Sequence, residues 1–439
     1  METADKLKRI LADWNESDVP DLFDRDFNLP LVGGSEILCL IGARRSGKTC
    51  LCHQLVRTLL QDNPKSNVIY LNCEDERLHP LRGDELSLLW ETILEVFQSD
   101  TKRKIYLLID EIQNIPNWSK WARRITEQNR NLKLILTGSS SKLLSREIAT
   151  ELRGRTLVWN VYPLNFQEFL RARKIETMLK RPLQTQERAS FKRQFQHYLK
   201  LGGFPGILNS PAPNQVLSEY FKVMFYRDIV ERHKVSNIKL LEDFLNLLMD
   251  QMACDFSISS TAKKLNQFGY TFSKNTLSNF LNYAEEAFLI FTVKKYSYKI
   301  KEQMRAPRKV YNIDHGLTQA VRFGFSENAG RVLENIAYLA IKRTGCDIYY
   351  HKAAKECDFV VTDRGRPIQA IQVTRSIGSP ETRKREVEGL AEALSAYNIK
   401  NGIILTEDLQ ETIHTDRYEI QAIPLWLWLL SNDFRPKIF

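Results

Sequence analysis

The first third of the chain alternates short apolar runs with stretches of helical spacing. Residues 35–41 (SEILCLI) form an apolar run of strand length, and residues 50–60 behind it carry apolar side chains at helical intervals. Residues 67–72 (NVIYLN), 104–110 (KIYLLID) and 132–137 (LKLILT) read as further strands. Nearly continuous apolar strands separated by helices predict an α/β unit, a parallel sheet with helices on both faces. Beyond residue 239 the period becomes helical, over 240–252, 258–266 and 273–287, with a turn at Gly269 and Ser259 and Ser273 as expected caps. Residues 288–298 and 309–312 read as a strand pair. A helix over 329–343, strands over 348–351, 356–362 and 368–374, a helix over 380–396, and apolar segments at 402–406 and 423–430 predict a second α/β core.

The chemistry lies at the ends of these runs. Gly42-Ala43-Arg44-Arg45-Ser46-Gly47-Lys48-Thr49 joins the first strand to the first helix and fits the GxxxxGK[ST] phosphate loop. Gly42 and Gly47 permit a turn whose N–H groups face phosphate, Arg44, Arg45 and Ser46 complete the loop, Lys48 reaches the outer phosphates, and Thr49 ligates magnesium. The strand at 104–110 ends in Asp110-Glu111: Asp110 is expected in the magnesium shell and Glu111 as the group that polarises water. The strand at 132–137 runs into Gly138-Ser139-Ser140-Ser141, which places Ser139 where a γ-phosphate would be sensed. ATP and Mg²⁺ are the expected cofactors.

Composition narrows the class. The chain has 439 residues, 43% hydrophobic and 10% aromatic, which is globular and long enough for two or three domains. No apolar run is long enough to cross a bilayer, so no membrane partner and a cytoplasmic location are expected. Seven scattered cysteines, with no paired CxxC ligands, read as reduced buried thiols. The net charge of +10 is localised: residues 151–310 carry 26 Lys+Arg against 14 Asp+Glu, while residues 1–150 carry 21 against 22 and residues 311–439 carry 16 against 17. Such a local excess suits a phosphate backbone, although a solvated basic face gives the same count.

The GARRSGKT loop, Asp110-Glu111-Ile112-Gln113 followed by Pro116-Asn117-Trp118, the TGSSS turn, Leu152-Arg153-Gly154-Arg155 leading to Tyr162-Pro163-Leu164, and Gly202-Gly203-Phe204-Pro205 occur in that order. Over nearly its whole length the chain resembles the prokaryotic AAA-type ATPases that carry a C-terminal restriction-endonuclease-like domain, commonly with a winged-helix segment between the two. The resemblance implies an ATPase domain over 1–165, a helical lid and winged helix over 166–310, and a degenerate nuclease-like domain over 311–439. It also implies that Arg155, or Arg153, acts as an arginine finger; action in trans would require a homo-oligomer.

The helices at 258–266 and 273–287 read as a helix-turn-helix, with Lys274, Asn275, Thr276 and Ser278 at the start of the second. Lys294, Lys295, Lys299, Lys301, Arg305, Arg308 and Lys309 would line the wing, and Tyr296 and Tyr298 would pack on it. DNA is the expected partner through residues 239–310, and a protein partner is the alternative. In the last third, Glu334 on a helix, Asp358 on a strand and Gln372 two residues before Thr374 follow the layout of a PD-(D/E)xK nuclease core. There a magnesium-binding pair is followed by a lysine; here that lysine is Thr374. The sequence therefore predicts a DNA-associated ATPase with a binding rather than cutting C-terminal domain. A nucleotide-gated nuclease and an ATP-driven protein switch are the alternatives.

Overall fold

The computed structural model describes residues 3–78, 85–97, 102–139, 152, 154–176, 183–321 and 329–431. The chain forms two units, residues 1–162 with 286–288, and residues 163–285 with 289–439.

The first unit is built on strands β1 (Ile37–Ile41), β2 (Val68–Asn72), β3 (Ile105–Asp110), β4 (Leu132–Gly138) and β5 (Thr156–Asn160), in the order β2-β3-β4-β1-β5 and parallel throughout. Every residue of β1 and β4 is buried, which explains the unbroken apolar sequence of β1 and the mostly apolar one of β4, where Lys133 and Thr137 are the buried polar members. Helices α1 (Thr3–Glu16), α2 (Lys48–Leu59), α3 (Leu86–Phe97) and α4 (Trp118–Gln128) complete the unit. The polar start of the chain conceals an amphipathic helix: α1 buries Leu7, Ile10, Leu11 and Trp14, and Trp14 Nε1 donates to the Val68 carbonyl at 3.2 Å. Because β4 lies between β1 and β3, the loop after β1 and the carboxylates after β3 stand two strand spacings apart, about 10 Å.

The second unit holds a nine-stranded mixed sheet among the described residues. Its strands are β6 (Asp255–Phe256), β7 (Ile290–Lys295), β8 (Arg308–Asn312), β9 (Asp347–Lys352), β10 (Glu356–Asp363), β11 (Arg366–Val373), β12 (Asn401–Thr406), β13 (Glu411–His414) and β14 (Glu419–Pro424), in the order β13-β14-β12-β11-β10-β9-β7-β8-β6. Its helices are α5 (Phe166–Ala172), α6 (Thr185–Leu201), α7 (Pro213–Val223), α8 (Ile238–Asp250), α9 (Ile258–Gln267), α10 (Lys274–Glu286), α11 (Ile300–Arg305), α12 (His315–Val321), α13 (Ala329–Arg343), α14 (Pro380–Tyr397) and α15 (Leu425–Leu430). Helix α14 is the crossover between the parallel strands β11 and β12. It starts at a Ser379 cap followed by proline and stops where Asn398 takes a left-handed conformation.

Several expectations shift in this unit. The pair β7–β8 forms as expected, but β7 also hydrogen-bonds β9, and β8 runs through residue 310. Backbone ladders thus join the expected middle and C-terminal segments in one sheet. Helix α9 is capped by Ser257, whose hydroxyl accepts from the Ser260 N–H, rather than by Ser259; Ser273 does accept from Thr276 N–H. The apolar run at 423–430 turns from β14 into α15, and Trp426 and Trp428 are buried in the core.

The core under β10–β14 contains Ala370, Leu390, Leu394, Ile404 and Ile420, all fully enclosed. Leu394→Ala removes three buried methyl or methylene groups from this layer. Its expected cost is ~2–5 kcal/mol, read as an earlier urea transition of the second unit.

Candidate functional site

Strand β1 delivers the chain into a loop that only glycine can enter: a Cβ on Gly42 would stand 2.1 Å from the Val161 carbonyl oxygen. Arg45 (φ +67°) and Gly47 (φ +97°) then turn the backbone through the left-handed region into α2. The open N–H groups of the first turn and the helix dipole favour an anion here. Ser46 is fully enclosed, and its Oγ has no partner among the described residues, as expected of a hydroxyl awaiting a ligand. The loop is braced from behind by Arg25, a buried residue with no sequence motif. Its guanidinium donates to the carbonyls of Ser46 (2.9 Å) and Tyr162 (2.7 Å), and its N–H donates to Gln54 Oε1 (2.7 Å).

Lys48 Nζ lies 3.3 and 3.2 Å from the carbonyls of Gly42 and Ala43 and 3.4 Å from Glu111 Oε1. Arg44 approaches Glu74 at 3.4 Å. Asp110 is buried, and its Oδ2 accepts from Thr49 Oγ1 (2.7 Å) and the Tyr70 hydroxyl (2.9 Å), while its Oδ1 accepts from Thr137 Oγ1. Thr137 Oγ1 accepts from the Glu111 N–H at 2.9 Å, so the same side chain fixes both carboxylates. Burial, then the Asp110 charge, pushes the Tyr70 hydroxyl well up, which keeps it a donor.

Glu111 sits at φ +53°, a conformation that costs a non-glycine residue ~1–3 kcal/mol and recurs at functional sites. Burial would raise its carboxyl, but Lys48, Gln113 and Arg44 outweigh burial and hold it below the usual glutamate range. A depressed carboxylate contributes stability above its unfolded value, and this is lost as pH falls through the lowered one. At neutral pH Glu111 is therefore an anion able to accept a proton. Gln113 Nε2 donates to Glu111 Oε2 and lies 3.4 Å from Ser139 Oγ, linking Glu111 on one strand end to Ser139 on the next. The donor set fits MgATP: Thr49 and Asp110 would hold the ion, and Lys48 with the loop would hold the phosphates. One carboxylate and one hydroxyl match magnesium, which keeps several waters and takes other ligands from phosphate. A bound metal would supply charge neutralisation, and Glu111, held by Thr137 and Gln113, would supply a proton acceptor.

The structure gathers Gly42, Arg44, Arg45, Ser46, Gly47, Lys48, Thr49, Asp110, Glu111 and Ser139 around one loop, but it does not bring Arg155 there. Arg155 precedes β5, whose Thr156 pairs with Ile37 at the opposite end of β1, and its guanidinium pairs with Glu127. In the parallel sheet the two ends of a five-residue strand are ~13–17 Å apart, so Arg155 cannot reach phosphate in the same chain. Arg153, Ser140 and Ser141 lie outside the described residues.

In the second unit Glu334 and Asp358 do converge, on a residue expected at the surface. Lys309 is 2% exposed, and its Nζ lies 2.8 Å from Asp358 Oδ1, 2.9 Å from Glu356 Oε1 and 3.2 Å from Glu334 Oε1. Burial lowers a lysine, but here Asp358, Glu334 and Glu356 outweigh it and hold the ammonium well above its usual range. Burial and the Asp358 charge push the Glu334 carboxyl up, against the pull of the Lys309 ammonium. Gln372 Oε1 accepts from the Asp358 N–H (3.1 Å) and its Nε2 donates to Glu386 (2.6 Å). Thr374 turns away, its hydroxyl 3.5 Å from the Ser376 carbonyl.

A phosphate loop after β1, an Asp-Glu pair two strands away on β3 and a hydroxyl on β4 between them define a P-loop nucleotide-binding domain of the AAA class. Residues 34–170 match the AAA domain family, and residues 192–328 match a domain of unknown function, DUF8612. The chain belongs to the family of the Methanocaldococcus jannaschii uncharacterized protein MJ1544, with which it is 35% identical over 425 residues, 93% of this chain and 91% of that protein. An uncharacterized protein of Haemophilus influenzae is 29% identical over 395 residues, 89% of this chain and 94% of that one. Among solved structures, AMPPCP-bound DnaA from Aquifex aeolicus (15% identity, TM-score 0.21, 59% of this chain and 84% of that one) and Drosophila ORC bound to AT-rich DNA and Cdc6 (10%, 0.21, 72% and 91%) are similar at a level too low to bear on function.

Tyr70→Phe removes one hydrogen bond to Asp110 and keeps the ring that packs on Trp14 and His53. Loss of a hydrogen bond behind a metal ligand is expected to weaken metal affinity ~10-fold or more. The Mg²⁺ concentration for half-maximal ATP turnover should rise accordingly, with little change at saturating Mg²⁺.

Proposed function

We propose that the protein is an ATP-hydrolysing switch or motor whose second unit engages DNA. The observation that carries the enzymatic part is the convergence of Lys48, Thr49, Asp110 and Glu111 at one end of the parallel sheet. Without nucleotide, Lys48 and Glu111 neutralise each other at 3.4 Å. A γ-phosphate competes for Lys48, and Glu111 is then free to orient and deprotonate water. An arginine finger at Arg155 would have to act from a neighbouring copy in a homo-oligomer.

The DNA part rests on the placement of charge. Helices α9 and α10 with β7 and β8 are the parts of a winged helix, and Lys274 and Asn275 stand exposed at the start of α10. Along the connection from β7 through α11, against the end of β9, a cleft of about 550 Å³ is lined by Lys295, Lys299, Lys301, Arg305 and Lys352, with Glu302 the acidic member. Tyr298, 74% exposed, stands beside it, whereas Tyr296 is buried against Tyr298, Tyr349 and Tyr397. A basic cleft edged by an exposed aromatic ring suits a phosphate backbone. The C-terminal part of the unit keeps a restriction-endonuclease-like frame that serves binding.

ATP turnover by the wild type should rise on addition of duplex DNA at low salt and fall back at moderate salt. In the Lys299→Ala/Lys301→Ala variant, basal turnover should stay unchanged, stimulation should weaken, and the slope of log affinity against log salt should shrink by about 2. Turnover indifferent to DNA at every salt concentration would contradict the coupling and favour a protein partner.

A further inference from the structure

A nuclease-like frame implies a divalent ion between Glu334 and Asp358, and the residues present do not fit one. The space between the carboxylates is filled by an ammonium group that arrives on β8, outside the motif. Lysine has three N–H donors, and the three carboxylates of Glu334, Glu356 and Asp358 match them one for one. Further contacts hold the same carboxylates: Asp358 Oδ2 takes the Val373 N–H (2.9 Å), Glu356 Oε2 pairs with Lys352 (3.0 Å), and Glu334 Oε1, besides facing the ammonium, takes the Tyr311 hydroxyl (2.7 Å). Gln372, which would have to turn toward a metal, is committed on both ends to Asp358 N–H and Glu386. Among the described residues no group of three His, Cys, Asp or Glu is arranged to hold a metal ion. An entering cation would have to expel Lys309 and leave a buried, unpaired charge, whereas Mg²⁺ requires near-octahedral oxygen ligation and parts reluctantly with its water.

We infer that Lys309 is a resident cation that takes the place of the divalent metal, so that the nuclease-like centre is closed to metal and to phosphodiester cleavage. This inference concerns the second unit alone and stands whether or not the first couples ATP to DNA. The same ammonium gives the centre a mechanical role. It ties β8, which begins directly after the cleft residues Ala306 and Pro307, to α13 through Glu334 and to β10 through Asp358 and Glu356. The cleft and the C-terminal core are thereby held in one register, and the carboxylates serve as a clamp.

The test is Mn²⁺ uptake by the full-length, nucleotide-free protein, followed by electron paramagnetic resonance, with plasmid nicking in Mg²⁺ or Mn²⁺ as a second readout. Wild type and Asp358→Asn should take up the same amount of Mn²⁺ at millimolar concentration, and neither should nick plasmid. Lys309→Met, which removes the ammonium and keeps the chain's volume, should gain one Mn²⁺ per chain, and Lys309→Met/Asp358→Asn should lose it again. A wild-type Mn²⁺ site that disappears in Asp358→Asn, or nicking that depends on Asp358, would overturn the inference. So would a folded Lys309→Met variant with no added Mn²⁺. Should Lys309→Met fail to fold by circular dichroism, the comparison of wild type with Asp358→Asn and with Glu334→Gln decides alone.

Discussion

One buried carboxylate organises the first unit. Asp110 accepts hydroxyl hydrogen bonds from Thr49 on α2, Tyr70 on β2 and Thr137 on β4, three elements far apart in sequence. An enclosed carboxylate without partners would be prohibitively costly, so these three donors both stabilise the charge and set where the surrounding elements come to rest. Every other feature of the site is fixed relative to this point. Thr137 also receives the Glu111 N–H, Glu111 meets Lys48, and Lys48 is held by the carbonyls of the loop that Arg25 braces. The site is thus pre-formed: phosphate and magnesium would replace contacts already in place, and little backbone movement is needed.

The second unit uses an ion cluster in a different way. There the buried cation belongs to the protein, and its three carboxylate partners consume the ligands that a catalytic metal would need. Both units therefore contain a lysine among carboxylates, with opposite consequences. At Lys48 a γ-phosphate would compete with Glu111 for the charge, whereas Lys309 is shared among three carboxylates of the protein itself.

Motif chemistry was legible where it is local in sequence. The phosphate loop, Asp110-Glu111 and Ser139 follow strands whose largely apolar sequences announce burial on both faces, and the structure gathers them. Residues whose roles depend on distant pairing were not legible. Arg25 lies in a polar stretch before the first strand, Tyr70 looks like any strand aromatic, and Lys309 reads as one more base in a basic run. Only strand order reveals that Tyr70 neighbours Asp110 and that β8 carries Lys309 toward β10 and α13. Arg155 is the converse case: it is close in sequence to β5 but at the end of that parallel strand away from the phosphate loop of its own chain. Ser257 displaced Ser259 as a cap because α9 starts at Ile258, one residue after the serine whose oxygen can reach the Ser260 N–H.

The account rests on a division of labour in which Lys48 binds phosphate and Glu111 performs chemistry. Binding of a fluorescent ATP analogue together with single-turnover ATP hydrolysis, on wild type, Lys48→Ala and Glu111→Gln, separates the two roles. Glu111→Gln should bind nucleotide at least as tightly as wild type while hydrolysis slows by ~10²- to 10⁴-fold, and Lys48→Ala should lose binding. Hydrolysis at the wild-type rate in Glu111→Gln would contradict the account.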